Sequence, residues 1–398
     1  DDVESRGLGD VYKRQAWKSL NKKGEELCGD KVVTVRTADS TIAVLADGLG
    51  SGVKANILAT LTSTICATMV REGASVADVV STIVNTLPVC SVRKVAYATF
   101  SILEIKDSGE GYLAEFDNPF CIYIRDGQRM EFKCEYNEYS GKGVYETRFQ
   151  ALPGDVITIV SDGVIYAGVG ESLNFGWTWE HVVKWLLNAT ALDMSAPRLA
   201  AALSDTVNDL YMKKPGDDST VLVAEVTPHR VVNMLAGPPK EKADDERMVR
   251  DYMRSQGKKV ICGGTSANIV ARVLNRKIRT SLTYSDPSIP PIGFIEGVDL
   301  VTEGVLTLTR TLDILQEYCE KDADSYYFHR IDEENGAAML ARLLLEDCTH
   351  LKLFIGTAIN PAHQNPNLPA DLSIKLKLID RLAELMVRLG KRVDKTFY

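Results

Sequence analysis

Apolar positions along this chain fall into two grammars. From residue 31 the pattern is that of short strands. Residues 31–37 and 41–46 each read as a strand, joined by a tight turn around Ala38-Asp39-Ser40. Residues 51–70 and 75–87 then place Ala, Leu, Ile and Val at spacings of three and four, which predicts two helices. Strands follow at 96–105, 112–116, 120–125 and 130–134, with Asp126-Gly127 as a hairpin turn between the last two. Residues 155–160 and 219–226 are rich in β-branched side chains and predict the firmest strands. Two helices, 178–187 and 196–212, lie between them. Adjacent strands with grouped helices predict an α+β domain, a layered antiparallel β-sandwich flanked by helices.

Near residue 230 strand and helix begin to alternate. A strand at 230–235 leads through Gly237-Pro238-Pro239 to a charged helix at 242–256. Strand 258–262 precedes helix 266–274, strand 298–301 precedes helix 305–318, and strand 351–355, helix 372–390 and strand 392–397 complete the series. This alternation predicts a smaller, doubly wound, Rossmann-like α/β domain. The expected division is 16–227 and 228–398, with the boundary near 227–230. Residues 1–15 show no periodicity, and Asp10-Val11-Tyr12-Lys13-Arg14-Gln15 resembles translated adaptor read-through at the end of an assembled fragment. They are expected to form a non-native or disordered leader.

Composition narrows the chemistry. The 398 residues are 45% hydrophobic and 25% charged, with a formal net charge of −8, which argues against a general nucleic-acid binder. No apolar run is expected to reach the roughly 20 residues that span a bilayer, and no secretory pattern opens the chain. The eight cysteines form no C-x-x-C pair and sit mostly in apolar surroundings, so reduced core thiols in a cytoplasmic protein are expected. The five histidines stand far apart. No Ser-His-Asp or Cys-His arrangement is recognisable, which leaves carboxylates and a metal.

Four acidic signatures stand where strand-like runs end: Cys28-Gly29-Asp30, Asp47-Gly48-Leu49-Gly50-Ser51-Gly52, Ser161-Asp162-Gly163 and Gly216-Asp217-Asp218-Ser219-Thr220. Any one Asp-Gly pair reads equally well as a turn, because both residues favour turns for local reasons. Together they read as a metal centre, since oxygen ligands suit magnesium or manganese. Asp217 and Asp218 place two like charges side by side, an arrangement that a cation relieves.

In this order and on these strands, the four signatures resemble the PPM-type metal-dependent protein phosphatases, of the bacterial SpoIIE-like branch, over residues 16–227. The resemblance implies a two-metal site for Mn2+ or Mg2+. Asp30 would bind one metal, Asp47 would bridge both with the Gly48 carbonyl as a further ligand, and Asp162 and Asp217 would hold the other. Asp218 would either join the ligands or orient its neighbour. The implied reaction is hydrolysis of phosphoserine or phosphothreonine by a water shared between cations about 4 Å apart. The implied substrate is a phosphorylated regulatory protein, of the kind found in partner-switching pathways. Glu25 or Glu26, Ser161 and Thr220 are expected to orient ligands. Eukaryotic members carry an arginine before the first motif. Here Lys22 and Lys23 occupy that stretch, which leaves Lys23, Lys54 or Lys214 to help anchor phosphate. The branch also uses the two helices after the second motif as a switch, which here implies 51–70 and 75–87.

Two alternatives remain open: a non-catalytic signalling scaffold with the same fold, and a hydrolase of small phosphate esters. In the second domain, Gly263, Gly264, Thr265 and Ser266 stand between a strand and a helix, where free amides favour an anion. A small phosphate-bearing ligand is one reading, and a plain strand-to-helix turn is the other. This half resembles no named family.

Overall fold

The computed structural model describes residues 11–87, 98–280, 290–320, 324–358 and 374–398. The chain divides into two compact units, Asp1–Pro228 and His229–Tyr398.

The first unit is built on two antiparallel sheets. Its elements are β1 (Val11–Leu20), β2 (Asp30–Arg36), β3 (Ser40–Gly48), α1 (Gly52–Arg71), α2 (Val76–Thr86), β4 (Ala98–Lys106), β5 (Glu110–Phe116), β6 (Ile122–Arg125), β7 (Gln128–Arg129), β8 (Glu135–Tyr139), β9 (Lys142–Gln150), β10 (Val156–Val160), α3 (Asp162–Ile165), α4 (Trp179–Thr190), α5 (Ala196–Leu210) and β11 (Ser219–Pro228). One sheet has the order β2-β3-β4-β5-β9-β8, the other β1-β11-β10-β6-β7. Ala43, Leu45, Leu103 and Leu113 of the first sheet meet Tyr123, Ile157, Ile159 and Leu222 of the second. The intervening residues Ile42, Val44, Phe100 and Ile102 point outward beneath α1 and α2. On the far side, Val160, Val221 and Val223 lie beneath α4 and α5. Strands covered on both faces read as unbroken apolar runs, and this is the pattern of residues 42–46 and 156–160. The α+β sandwich is as expected.

Three expectations change. Residues 11–15 belong to the fold: β1 pairs with β11 over its whole length, from Val11 opposite Pro228 to Leu20 opposite Ser219. Its polar residues hid it. Lys13 and Arg14 are buried and reach ionic partners far along the chain, Asp107 at 2.5 Å and Glu225 at 2.6 Å. Likewise, no strand covers 130–134. The hairpin β8–β9 forms instead, with Tyr139 opposite Lys142 around Ser140 and Gly141, which both adopt positive φ. Its mixed polar composition gave no clean alternation. Finally, α1 is long and apolar enough to cross a membrane by length and composition, although its Ala55, Ala59, Cys66 and Ala67 face is buried within the unit.

The second unit contains β12 (Val231–Ala236), α6 (Asp245–Arg254), β13 (Lys258–Cys262), α7 (Gly264–Leu274), β14 (Arg279–Thr280), β15 (Gly293–Phe294), β16 (Leu300–Thr302), α8 (Val305–Glu320), α9 (Ser325–Ile331), α10 (Gly336–Glu346), β17 (His350–Ile355), α11 (Ile374–Arg388) and β18 (Arg392–Phe397). The sheet order is β14-β15-β16-β13-β12-β17-β18, with parallel pairing from β16 through β18. Chain order reverses between β12 and β17, which defines a doubly wound α/β sheet. Helices α9 and α10 were not anticipated, although Asn335, whose side chain accepts from the Ala338 amide at 2.9 Å, is an ordinary helix cap. Residues 96–97 and 372–373, expected at a strand and a helix start, lie outside the described residues.

Candidate metal centre

All four acidic signatures lie at one end of the sandwich. Strand β2 begins at Asp30 and β3 closes with Asp47 and Gly48, and the antiparallel register sets Asp30 directly opposite Asp47. Like charges in that relation destabilise a sheet. Strand β10 ends at Val160, after which Ser161 stands at the N-terminal boundary of the short α3 without a side-chain cap bond, and Asp162 is the helix's first residue. Residues 216–218 lead into β11. The ends of β10 and β11 are tied together: the Ser161 amide donates to the Thr220 carbonyl at 3.0 Å, and the Thr220 amide donates to Ser161 Oγ at 2.8 Å. Ser161 Oγ in turn donates to Asp30 Oδ2 at 2.7 Å, linking the second sheet to the first.

Two glycines permit the close approaches. A Cβ on Gly48 would lie 2.0 Å from the Ala55 carbonyl of α1, and one on Gly163 would lie 2.0 Å from the Asp218 carbonyl. Both distances are well inside van der Waals contact, so only glycine fits.

The electrostatics record the crowding. Burial raises the Asp30 carboxyl above the usual carboxylate range, against hydrogen bonds from Ser161 and Thr220, and the charges of Asp218 and Asp162 add to the rise. Asp47 is raised by burial and then by the charges of Asp30, Asp162 and Asp217. Asp162 is an exposed residue, yet its carboxyl is also raised, by desolvation at the crowded site first and by Asp217 second. Asp218 is buried and accepts from the Lys22 amide at 2.9 Å through Oδ1. Its Oδ2, like Asp30 Oδ1, has no hydrogen-bond partner. Leaving a buried acceptor unsatisfied costs about 1–3 kcal/mol, more when charged. Unpaired carboxylate oxygens among mutually repelling carboxylates are the donor set of a hard dication, and the residues therefore fit such an ion. Among the described residues, no three carboxylate, imidazole or thiolate groups already converge at ligating distance. The cluster is an array within reach of cations, short of a closed coordination shell.

The surrounding residues sort clearly. Thr220 Oγ1 donates to Ser19 Oγ at 2.7 Å. Glu25 accepts from Ser51 Oγ at 3.0 Å, beside the first turn of α1, whereas Glu26 is exposed and offers only its carbonyl, to Asn21. Lys23, Lys54 and Lys214 are all exposed. The lysine that reaches the cluster is Lys22, with Nζ 3.4 Å from Asp217 Oδ1. Sequence reasoning also passed over Tyr211, which donates to the Gly163 carbonyl at 2.8 Å, and Asn118, which bonds the Val160 carbonyl. Neither has a sequence signal, because their partners are 48 and 42 residues away.

In the second unit Gly263 has φ +120 and Gly264 opens α7. Gly264 and Thr265 are exposed. Ser266 is buried, and its Oγ accepts from the Gly237 amide at 2.9 Å, so it fastens the end of β12 to α7.

Residues 37–227 match the family model described as Stage II sporulation protein E (SpoIIE). No curated protein matches the chain. Among solved structures, it is similar to the PP2C phosphatase domain with a fragment of the regulatory domain of SpoIIE from Bacillus subtilis. The identity is 18% with a TM-score of 0.46, over 55% of this chain and 65% of that one. The chain thus spans less than two thirds of that structure. It is also similar to the RsbU and RsbW domains of a Mycobacterium tuberculosis protein, at 19% identity and TM-score 0.41 over 63% of this chain and 71% of that one. The catalytic domain of the phosphatase PstP with two manganese ions shows 17% identity and TM-score 0.37, over 55% of this chain and 100% of that one. At these identities and scores the likenesses carry no functional argument.

Proposed function

We propose that the first unit is a divalent-metal-dependent phosphoprotein phosphatase acting on phosphoserine or phosphothreonine of a regulatory protein. The observation that carries this reading is the Asp30–Asp47 cross-strand pair, with Asp162 and Asp217 charged against it and buried acceptor oxygens left over. The SpoIIE family match over residues 37–227 supports it. In this reading Asp30, Asp47, the Gly48 carbonyl, Asp162 and Asp217 hold Mn2+ or Mg2+, and Asp218 completes or orients the set. When bound, the two cations acidify a shared water and neutralise phosphoryl oxygens. The protein's own part is positional. Ser161 holds Asp30 through one oxygen and leaves the other free, and Lys22 stands beside Asp217 as a cation for an incoming phosphate. The partner would be a phosphorylated switch protein.

The test is phosphate release from a phosphoserine peptide and from nucleotides, with manganese or with chelator, using the full chain and its Asp47→Asn variant. Metal-dependent turnover of the peptide, lost in the variant, is the expected result. Turnover of nucleotides alone would replace the reading with a small-ester hydrolase, and manganese binding without turnover would leave a scaffold.

A further inference from the structure

Asn118 lies on the connection between β5 and β6, where the chain passes from one sheet of the sandwich to the other. Its Nδ2 donates to Ser101 Oγ on β4 at 2.8 Å and to the Val160 carbonyl at 3.3 Å, and its Oδ1 accepts from Thr99 Oγ1 at 3.5 Å. Each partner is placed with respect to the carboxylates. Thr99 is the cross-strand partner of Asp47. Val160 ends β10, two residues before Asp162, and the β10–β6 pairing stops earlier, at Thr158 opposite Ile122. The amide therefore takes the carbonyl that the ladder leaves over, and its other contacts sit on the strand beside Asp47. The loop is pinned where it enters β6: Glu115 Oε1 accepts from the Cys121 amide at 2.6 Å, and Trp179 Nε1 donates to the Phe120 carbonyl at 2.7 Å.

We propose that Asn118 is a positioning residue, a neutral strut that sets the spacing between the Asp47-bearing and Asp162-bearing sheets and through it the affinity for dications. The proposal rests on the reading of the carboxylate cluster as a metal centre. Ser161 ties Asp30 to the end of β10 from the β2 side, and Asn118 ties the same end from the β4 side, so β10 is fixed by both. An amide suits the place because it donates twice and accepts once without adding charge to an acidic cluster. Groups that orient metal ligands change affinity about 10–100-fold when removed.

The experiment compares the full chain with its Asn118→Ala and Ser101→Ala variants. Manganese affinity is measured by calorimetry, peptide hydrolysis as a function of manganese, and melting in chelator. Asn118→Ala should weaken manganese binding about tenfold or more, and Ser101→Ala should shift it in the same direction by less. The activation midpoint should move with affinity, and saturating manganese should restore turnover. A lower melting temperature with unchanged manganese affinity would show a merely structural role and overturn the proposal. Should Asn118→Ala fail to fold, Ser101→Ala decides alone, and unaltered affinity in it overturns the proposal equally. A wild-type chain that binds manganese but hydrolyses no phosphopeptide would remove the phosphatase reading, and the calorimetric comparison would still decide the role of Asn118.

Discussion

Ser161 and Asp30, 131 residues apart, meet through a buried 2.7 Å hydrogen bond in which the hydroxyl donates to the carboxylate. The same hydroxyl oxygen accepts from the Thr220 amide, so one side chain joins β2, β10 and β11 at the acidic end of the sandwich. Ser161→Ala removes the donor to Asp30 and strands the Thr220 amide. Manganese affinity should fall about 10–100-fold. Titration calorimetry checks this, and an unchanged binding isotherm would refute it.

The Asp30–Asp47 pair makes an unusual double prediction. Asp47→Asn should abolish metal-dependent phosphate release and, in chelator, should raise the melting temperature. Removing one of two opposed like charges relieves about 0.2–1 kcal/mol on the cross-strand scale. Thermal unfolding with and without manganese gives the answer. A variant less stable than wild type in chelator would show that repulsion is not what the site stores.

Glu115 supplies a pH dependence away from the carboxylate cluster. It is buried, its carboxyl is pushed up to about 7 by burial, and the Cys121 amide opposes the shift. The folded chain thus holds this proton more tightly than the unfolded chain, whose carboxyl keeps the ordinary value of 4.5. The stabilisation is complete below that value and is lost as pH rises through about 7. Glu115→Gln keeps an acceptor for the amide and cannot ionise. Its melting temperature should decline less than that of wild type between about pH 5 and 7.5, and parallel profiles would sink the assignment.

A stability prediction concerns Asp155, which is fully buried. Arg125 donates to it twice at 2.7 Å, Tyr123 Oη donates at 2.6 Å and the Leu152 amide at 2.6 Å. Arg125→Ala would leave this carboxylate without its countercharge, and breaking a buried pair in that way costs roughly 3–5 kcal/mol. The two remaining donors place the expected loss toward the low end. Chemical denaturation is the measurement, and a loss under about 1 kcal/mol would mean those donors suffice.

What the sequence could and could not disclose follows the range of the interactions. The acidic signatures were legible because each is local, a carboxylate beside glycine at the end of an apolar run. The helices at 178–187 and 196–212 and the strands at 155–160 and 219–226 were legible through their periodicity. β1 was not, since its buried Lys13 and Arg14 look like surface residues until Asp107 and Glu225 are brought to them. Lys22, the lysine that stands beside Asp217, was not among those expected to anchor phosphate, because its partner lies 195 residues away. At residues 263–266 the sequence left an anion site and a plain turn both open, and it gave no sign that the Ser266 hydroxyl holds the Gly237 amide, 29 residues away.

The pairing of β1 with β11 also governs assembly. The strand at residues 11–20 finds its neighbour only at residues 219–228, so the sandwich cannot close during synthesis until nearly the whole unit has left the ribosome. Contacts of such long sequence separation slow folding. Until they form, β11 exposes an unpaired edge, the kind of surface on which nascent chains aggregate. A truncation that stops before Ser219 would leave residues 11–20 with nothing to zip against.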